Sequence, residues 1–300
     1  MAISTETSQG KSRISGIIFG ASSYLIWGIS PIYWKTLKAI PALEIIAHRI
    51  VWSCLFLIPL ILLMGNGKEF VRAFKTRKTF LILMGTSVIV GVNWLIYVWA
   101  INTNHLLQAS LGYYINPLVN VLLGVLFLKE RLRKAQVAAV LIAAAGVLYL
   151  TVQYGDFPWI ALSLAFTFGI YGLIRKVAPV GALPGLTVEA LMLTLPGIVY
   201  LVRLESAGTG AFTHAGLAVD LLLIGASVVT TVPLLFFALG ARRLNLSTMG
   251  FLQYIAPTMM FLLGVFVYRE PFSTAQLVTF GMIWTALFIY SADSVTALKT

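Results

Sequence analysis

The chain has 300 residues, of which 59% are hydrophobic and 10% are charged, and its mean hydropathy is +0.93. A soluble domain carries roughly a quarter charged residues, so this composition excludes a soluble globule, and the hydrophobicity excludes intrinsic disorder. Cys54 is the only cysteine, which excludes a disulfide scaffold. The net charge of +11 reflects 21 basic residues against only 10 acidic ones. We therefore predict an all-α integral membrane protein that lies in a lipid bilayer and binds no nucleic acid.

Apolar runs of about 20 residues, the length that crosses a membrane as a helix, recur along the whole chain. The predicted spans are residues 14–34, 43–64, 79–101, 106–128, 135–153, 157–174, 186–202, 217–240, 246–268 and 274–292. The connections are short, and the longest internal one runs from Gly65 to Lys78. We expect one membrane domain over residues 1–300 and no cleaved signal peptide, because the first apolar run is a full span.

Basic residues alternate between the two sides of these ten spans. With the N-terminus placed in the cytoplasm, 16 Lys and Arg residues fall inside and four fall outside, and Arg49 lies within the second span. Cytoplasmic segments of membrane proteins collect Lys and Arg. We therefore expect both termini in the cytoplasm.

The chain contains an internal repeat. The segment Tyr114–Gln136 recurs as Tyr254–Gln276 at an offset of 140 residues, with ten of 23 positions identical, including a proline, a glycine, a glutamate and a glutamine. We predict two five-span repeats, over residues 14–153 and 157–292. Because five is odd, the second repeat crosses the membrane upside down. Two inverted five-helix repeats are typical of secondary transporters, in which the halves move about a site near the midplane.

The order of several motifs resembles the drug/metabolite transporter superfamily, EamA family, and most closely its RarD-like permeases. The motifs are SYLIWGISPIYWK (Ser23–Lys35), EIIAHR (Glu44–Arg49), NWLIYVWAIN (Asn93–Asn102), SLGYYINPL (Ser110–Leu118), LAFTFGIYGLIRK (Leu164–Lys176) and QYIAPT (Gln253–Thr258). The resemblance covers the chain from about Ile14 to Tyr290. It implies a multi-pass carrier in the inner membrane, basket-like with a central cavity, of the kind that exports amino acids, other metabolites or drugs.

Neutral polar and aromatic side chains recur at helical spacing on spans 1, 3, 4, 6 and 9. Amides that face lipid lack hydrogen-bond partners, so we expect these faces to meet in one interior. The predicted lining of a midplane cavity is Trp27, Asn93, Tyr97, Tyr113, Asn116, Tyr171 and Gln253. Such a lining is rich in rings and poor in charge, which fits a small neutral, zwitterionic or aromatic solute. The alternative is that these amides only hydrogen-bond between helices and hold the bundle together.

Three ionisable residues, Glu44, His48 and Arg49, lie near the outer start of the second span. One interpretation is a site for a coupling proton or a substrate carboxylate, because ionisable groups in a membrane face protein or water. The other is an ion pair that anchors the helix end, and Glu189 near the start of the seventh span favours it by repeating the Glu44 position.

Pro117 and Pro257 are equivalent in the repeat, and each removes a backbone donor from its span. We expect kinks related by the pseudo-symmetry, which serve either as hinges or as static curvature that shapes the cavity.

The sequence carries no HExxH, GxSxG or Walker motif, so we expect no catalytic residue, no metal site and no cofactor. The predicted function is a secondary transporter, a permease or exporter, for a small-molecule substrate, acting as a monomer or homodimer. The alternatives are a facilitative uniporter or exchanger, a channel-like protein or an intramembrane enzyme.

Overall fold

The computed structural model describes residues 2–103, 105–155, 157–269 and 273–299. These residues form helices joined by non-helical connections, with no β-strand among them. Ten helical stretches in the described ranges are long and apolar enough to cross a membrane, which confirms the predicted all-α membrane class and the number of spans.

The first half of the chain forms seven helices. They are α1 (Ala2–Ile29), α2 (Pro31–Thr36), α3 (Ala42–Leu63), α4 (Gly67–Lys75), α5 (Arg77–Asn102), α6 (Leu106–Leu128) and α7 (Lys134–Tyr154). The second half forms α8 (Trp159–Val177), α9 (Ala182–Ser206), α10 (Leu217–Ala241), α11 (Leu246–Gln253), α12 (Ile255–Leu262), a π-helical turn (Leu263–Val267) and α13 (Thr274–Lys299).

The predicted spans differ from these helices at three places. The helix of the first span begins at Ala2, and it breaks at Ser30 because Pro31 starts α2 and has no N–H to continue the hydrogen-bond ladder. The ninth span divides into α11, α12 and the π-helical turn. The connection between the second and third spans is partly helical, since it contains α4, whose polar sequence carries an apolar face on Phe70 and Ala73.

The two repeat-equivalent prolines do not act alike. The helix is interrupted at Tyr254, three residues before Pro257, where the Tyr254 N–H bonds to the Phe251 carbonyl at 3.2 Å. In contrast, α6 is continuous through Pro117. The helix is therefore broken near Pro257 and unbroken at Pro117, and both prolines remain candidate hinges.

Residues 140 apart adopt the same local conformation where each repeat turns between its last two spans. Lys129 and Arg269 both have left-handed backbone, with φ of 55° and 52°. A few residues later, the Gln136 side chain accepts the Arg133 N–H at 3.0 Å and the Gln276 side chain accepts the Ser273 N–H at 2.8 Å. The glutamines are therefore identical in the two copies because each caps the start of a helix.

Helix packing pairs the two halves in a corresponding way. The first helix of the first half, α1, packs on α10 and α12, and the first helix of the second half, α8, packs on α5 and α6. At these crossings Gly28 lies against Met259, and Gly169 lies against Val119, which are repeat-equivalent contacts. This correspondence supports a duplicated fold, and the opposite orientation of the two copies stays a prediction.

Candidate functional site

Arg49 lies inside the bundle, about 10 Å along α3 from its start, among aromatic rings. Its guanidinium carbon sits over the Trp94 ring, 4.5 Å from the ring centroid. It also lies near enough to the hydroxyls of Tyr97 and Tyr113 to interact with them electrostatically. Its Nε atom is buried without a hydrogen-bond partner, and no carboxylate among the described residues pairs with it. The structure thus places a cation without a counter-charge beside an aromatic wall.

Tyr97 and Tyr113 face each other across α5 and α6. Their ring centroids are 6.3 Å apart and nearly perpendicular, the edge-to-face arrangement that aromatic pairs favour. Two of the predicted lining residues are therefore neighbours, as the helical spacing indicated. Arg49 joins this pair and not the Glu44 side of its own helix, which the grouping of three ionisable residues did not anticipate.

The predicted amides lie inside the bundle and bond to neighbouring helices. Asn93 Nδ2 donates to the Leu164 carbonyl at 3.0 Å and to Thr167 Oγ1 at 2.8 Å, joining α5 to α8. Asn116 Nδ2 donates to the Ala165 carbonyl at 2.6 Å. These contacts are the interhelical hydrogen bonds that the sequence left open as an alternative.

Gln253 continues this polar chain between the halves. Asn120 Nδ2 donates to the Gln253 side-chain oxygen at 2.9 Å and lies 3.2 Å from Asn116 Oδ1. Asn120 therefore links α6 to α11, where the two copies of the repeat meet.

Trp27 packs in an aromatic cluster at the centre of the bundle. Its ring centroid lies 5.6–6.1 Å from those of Tyr24, Phe168 and Phe237. Tyr171 stacks on Phe237 at 6.3 Å with an interplanar angle of 17°. Trp27 and Tyr171 thus belong to one continuous aromatic surface.

A small cavity lies between these groups, with a volume of about 30 Å³. Its polar and aromatic lining is Ser53, Trp94, Tyr171, Glu189, Thr230 and Thr231. Of the seven predicted lining residues, Tyr171 alone borders it. This volume has room for water but not for a metabolite, because ligand pockets typically enclose about 300–1,000 Å³.

A buried ion pair, Arg175 with Glu189, borders this region and was missed by sequence reasoning. Arg175 is 1% exposed and lies within α8, so the sixth helix extends past the predicted end of its span at residue 174. Its Nε lies 3.6 Å from Glu189 Oε1, and its Nη2 donates to the Ala182 carbonyl at 2.9 Å. Thr86 Oγ1 and the Tyr171 hydroxyl donate to the Glu189 carboxylate over 2.5 Å and 3.1 Å. Glu189, inside the predicted span 186–202, was a signal in the sequence, but Arg175 lies just beyond the predicted span 157–174.

Glu189 does not repeat the position of Glu44. At the offset of 140 that aligns the clearest copy of the repeat, Glu189 corresponds to Arg49, and each is the eighth residue of its helix. The interpretation that Glu44 and Glu189 share one architectural role is therefore wrong. The two equivalent positions carry opposite charges.

Glu44 and His48 lie together at the start of α3, away from the cavity. Glu44 Oε1 accepts the Ala211 N–H of the α9–α10 loop at 2.6 Å and lies 3.9 Å from His48 Nε2. The His48 ring lies 5.1 Å from that of Phe212 in the same loop. The geometry favours the helix-end clamp over the coupling site for this pair.

The opposite end of the bundle is fastened by charged groups on backbone atoms. Glu130 accepts the N–H groups of Leu246 and Ser247 at 2.6 and 2.9 Å, which caps α11. Arg242, just beyond α10, donates to the carbonyls of Ala178 and Val180 at 2.9 and 2.7 Å. Burial, and then the neighbouring Arg175 charge, lower the pKa of Arg242 from its ordinary value.

No group of three His, Cys, Asp or Glu side chains among the described residues could hold a metal ion.

The EamA-like transporter family model matches residues 14–152. An uncharacterised transporter of Vibrio cholerae is 49% identical over 282 residues, covering 94% of this chain and 93% of that protein. The RarD protein of Salmonella typhi is 45% identical over 285 residues, covering 95% of this chain and 97% of that protein. A crystal structure with 18% identity superposes with a TM-score of 0.72 over 93% of this chain and 97% of its own, so the fold is shared.

Proposed function

Because this chain belongs to the EamA family of the drug/metabolite transporter superfamily, as a RarD-like permease, we propose that it is a secondary transporter of small neutral, zwitterionic or aromatic metabolites. Amino-acid-like compounds or drugs are the solute class, and alternating access of the two halves is the mechanism. The transporter acts in the inner membrane with both termini in the cytoplasm. A facilitative uniporter or exchanger is the alternative, in which the solute gradient alone drives flux.

One observation carries the choice of solute: the guanidinium of Arg49 has no carboxylate partner and lies on the Trp94 ring. Inserting a charged side chain at the centre of a membrane helix costs about 2.5–3.5 kcal/mol on insertion scales. A charged residue at such a position is therefore retained for a functional role. Arginine pairs with a carboxylate through two parallel hydrogen bonds. We therefore infer that Arg49 binds the carboxylate of the solute.

The aromatic rings around Arg49 determine which part of the solute, apart from its carboxylate, fits beside them. Trp94, Tyr97 and Tyr113 offer flat apolar faces with few polar tips. A phosphorylated solute would call for several cations, and Arg49 is the single one at this place among the described residues. A zwitterionic or aromatic molecule with one carboxylate fits this combination best.

The packing supports alternating access. Equivalent contacts, Gly28 on Met259 and Gly169 on Val119, join the halves. The central cavity of about 30 Å³ is too small for a metabolite, so transport requires the halves to separate. Inverted halves that rock about such a centre would expose it to one side at a time.

The test is uptake of two matched solutes by proteoliposomes, L-phenylalanine and phenethylamine, which lacks only the carboxylate. We expect saturable uptake of L-phenylalanine and little uptake of phenethylamine. Arg49→Gln should remove the preference and most of the transport, and Arg49→Lys should retain part of it, because a lysine keeps the charge without the planar fork.

Arg203→Gln is the matched control, since Arg203 is an exposed arginine at the end of α9. It should leave uptake unchanged. Uptake of L-phenylalanine by Arg49→Gln at the wild-type rate would place Arg49 in a purely structural role on Trp94. Counterflow without net accumulation under any ion gradient would favour the uniporter or exchanger.

A further inference from the structure

We propose that Glu189 is the residue that binds and releases a coupling proton, an inference that rests on the proposed transport function. Among the described residues that line the central cavity, Glu189 is the only carboxylate, and its side chain is 2% exposed. A carboxylate inside membrane helices is retained for a pairing or transport role. Four further observations favour the proton.

Two hydroxyl groups hold the carboxylate in a way that suits both of its protonation states. Thr86 Oγ1 lies 2.5 Å from Oε1, and the Tyr171 hydroxyl lies 3.1 Å from Oε2. A hydroxyl donates to an ionised carboxylate and can also accept from a protonated one. The carboxyl group therefore keeps hydrogen-bond partners when it gains a proton.

The ion pair with Arg175 is loose. The closest approach is 3.6 Å, whereas a charge-assisted hydrogen bond spans about 2.7–2.9 Å. Nε and Nη1 of Arg175 are buried and have no hydrogen-bond partner, and Nη2 is held by the Ala182 carbonyl. A pair that served only to fasten α8 to α9 would use the two-pronged geometry, so this spacing fits a carboxylate whose charge comes and goes.

The cavity provides a place for water beside the carboxylate. Its volume of about 30 Å³ exceeds the roughly 10–15 Å³ that one water molecule needs. Thr230 Oγ1 lines the cavity and is buried with no hydrogen-bond partner, and the Thr231 and Ser53 hydroxyls bond to each other at 2.8 Å. Water in this cavity, together with these hydroxyl groups, would give a proton a route to Glu189.

The titratable groups that contact the carboxylate are Arg175 and Tyr171, both on α8, and α5 contributes the Thr86 hydroxyl. The groups on the other surrounding helices have other partners. On α3, Arg49 lies on the Trp94 ring, and Cys54 interacts with Thr194, further along α9. At the start of α9, Glu69 of α4 accepts the Gly181 N–H, and Arg242 at the end of α10 interacts with Arg175 and Glu69. The charge balance at Glu189 is therefore set by Arg175 alone.

The proton step is simple. A proton from water adds to a carboxylate oxygen of Glu189, no other bond changes, and the reverse step returns the proton to water on the other side. Protonation weakens the bond from Thr86, because charge-assisted hydrogen bonds are roughly twice as strong as neutral ones. That bond joins α5 of the first half to α9 of the second, so the proton loosens the contact between halves.

Infrared difference spectroscopy of the protein in lipid vesicles, between about pH 5 and about pH 9, tests protonation directly. We expect a carboxyl C=O band at low pH that Glu189→Gln removes. Glu44→Gln, which changes the other buried carboxylate on the equivalent helix, should keep this band. A low-pH spectrum that is the same in the wild type and in Glu189→Gln overturns the proposal.

Uptake in proteoliposomes tests coupling. With L-phenylalanine as the probe, a pH gradient should drive accumulation in the wild type. In Glu189→Gln, the rate of L-phenylalanine accumulation under a pH gradient should fall to the rate seen without that gradient. Counterflow at equal pH should continue. Because this variant leaves Arg175 unpaired, the double variant Arg175→Gln with Glu189→Gln serves if the single one does not fold.

Glu189→Asp keeps a carboxyl group and should keep gradient-driven accumulation. Accumulation at the wild-type rate in the folded Glu189→Gln or double variant overturns the proposal. A wild-type protein that does not move L-phenylalanine contradicts the proposed solute class instead, and the infrared measurement still decides whether Glu189 takes the proton.

Discussion

Gly28 and Gly169 occupy equivalent positions in the two halves, and substituting each by alanine tests how the halves pack. A Cβ atom added to Gly28 would lie 2.6 Å from Met259 Cβ and 3.2 Å from the Ala256 carbonyl oxygen. One added to Gly169 would lie 2.8 Å from Val119 Cγ1. Contacts this short require the helices to move apart, because the neighbours of Gly28 are a Cβ and a backbone oxygen and the nearest neighbour of Gly169 belongs to the stiff, β-branched Val119.

Overpacking of this kind costs about 1–3 kcal/mol. Alanine is the better helix former by about 1 kcal/mol, which offsets part of the loss. We therefore expect Gly28→Ala and Gly169→Ala each to lower the free energy of unfolding by up to about 2 kcal/mol. The larger effect should come from Gly28, since its nearest neighbour is a Cβ atom that cannot rotate away.

Thermal unfolding of the purified protein in one lipid nanodisc preparation measures this. Gly85→Ala is the matched control, because Gly85 also lies within a membrane-spanning helix and has no atom within 4 Å of the added Cβ. It should be neutral or stabilising. Unfolding temperatures for Gly28→Ala and Gly169→Ala equal to that of Gly85→Ala would refute the close contact between the halves.

Three further predictions concern the ends of the bundle. Glu130→Gln should destabilise the protein by about 1–3 kcal/mol, because the carboxylate accepts two backbone N–H groups at the start of α11, and thermal unfolding measures the loss. Asp293→Asn, which breaks an exposed ion pair, should change stability by less than about 1 kcal/mol in the same assay. A larger loss would contradict the expected difference between this exposed pair and the Glu130 cap. Cysteines at Arg131 and Ser273, in a protein without Cys54, should react with an impermeant maleimide from opposite sides of the membrane. Labelling from the same side would contradict the inverted repeat.

Hydropathy located the spans because crossing a membrane demands a fixed length of apolar helix, whatever the packing. It missed the start of α1 because polar residues continue a helix without lengthening the apolar run. It also missed the break at Tyr254, which depends on how Pro257 and the adjoining helices share backbone bonds. These are local adjustments that composition does not record.

For the site residues too, the sequence predicted some features and not others. The i, i+4 spacing correctly directed Tyr97 and Asn93 inward, since side-chain direction follows from the helical period. Helical spacing could not predict which groups these two side chains contact. Asn93 meets a carbonyl of α8, and Tyr97 meets Tyr113 and Arg49, because helix neighbours are set by the tertiary fold.

Arg175 was placed just beyond the predicted sixth span for a related reason. It lies two residues before the end of α8, where a cation usually reaches water. The bare backbone of Gly185 on α9 leaves space for it, since a Cβ there would lie 2.0 Å from Arg175 Nη1. Sequence position alone does not reveal a glycine on the facing helix, so the buried pair with Glu189 could be found only from the fold.

The fastening of the two ends is unequal, and this bears on the transport cycle. At the end predicted to be cytoplasmic, Glu130 of the first half accepts hydrogen bonds from Leu246 N, Ser247 N and Ser247 Oγ of the second half. At the other end, Glu44 accepts the Ala211 N–H, and the Tyr33 hydroxyl of the first half donates to the Leu222 carbonyl of the second. Hydrogen bonds to charged groups contribute about 1.5–3 kcal/mol each, so opening the cytoplasmic end costs more in these contacts. Under the proposed alternating access, we expect the halves to separate more easily at the Glu44 end without solute. This motion should expose Arg49 before Glu189, because Arg49 lies near the start of α3.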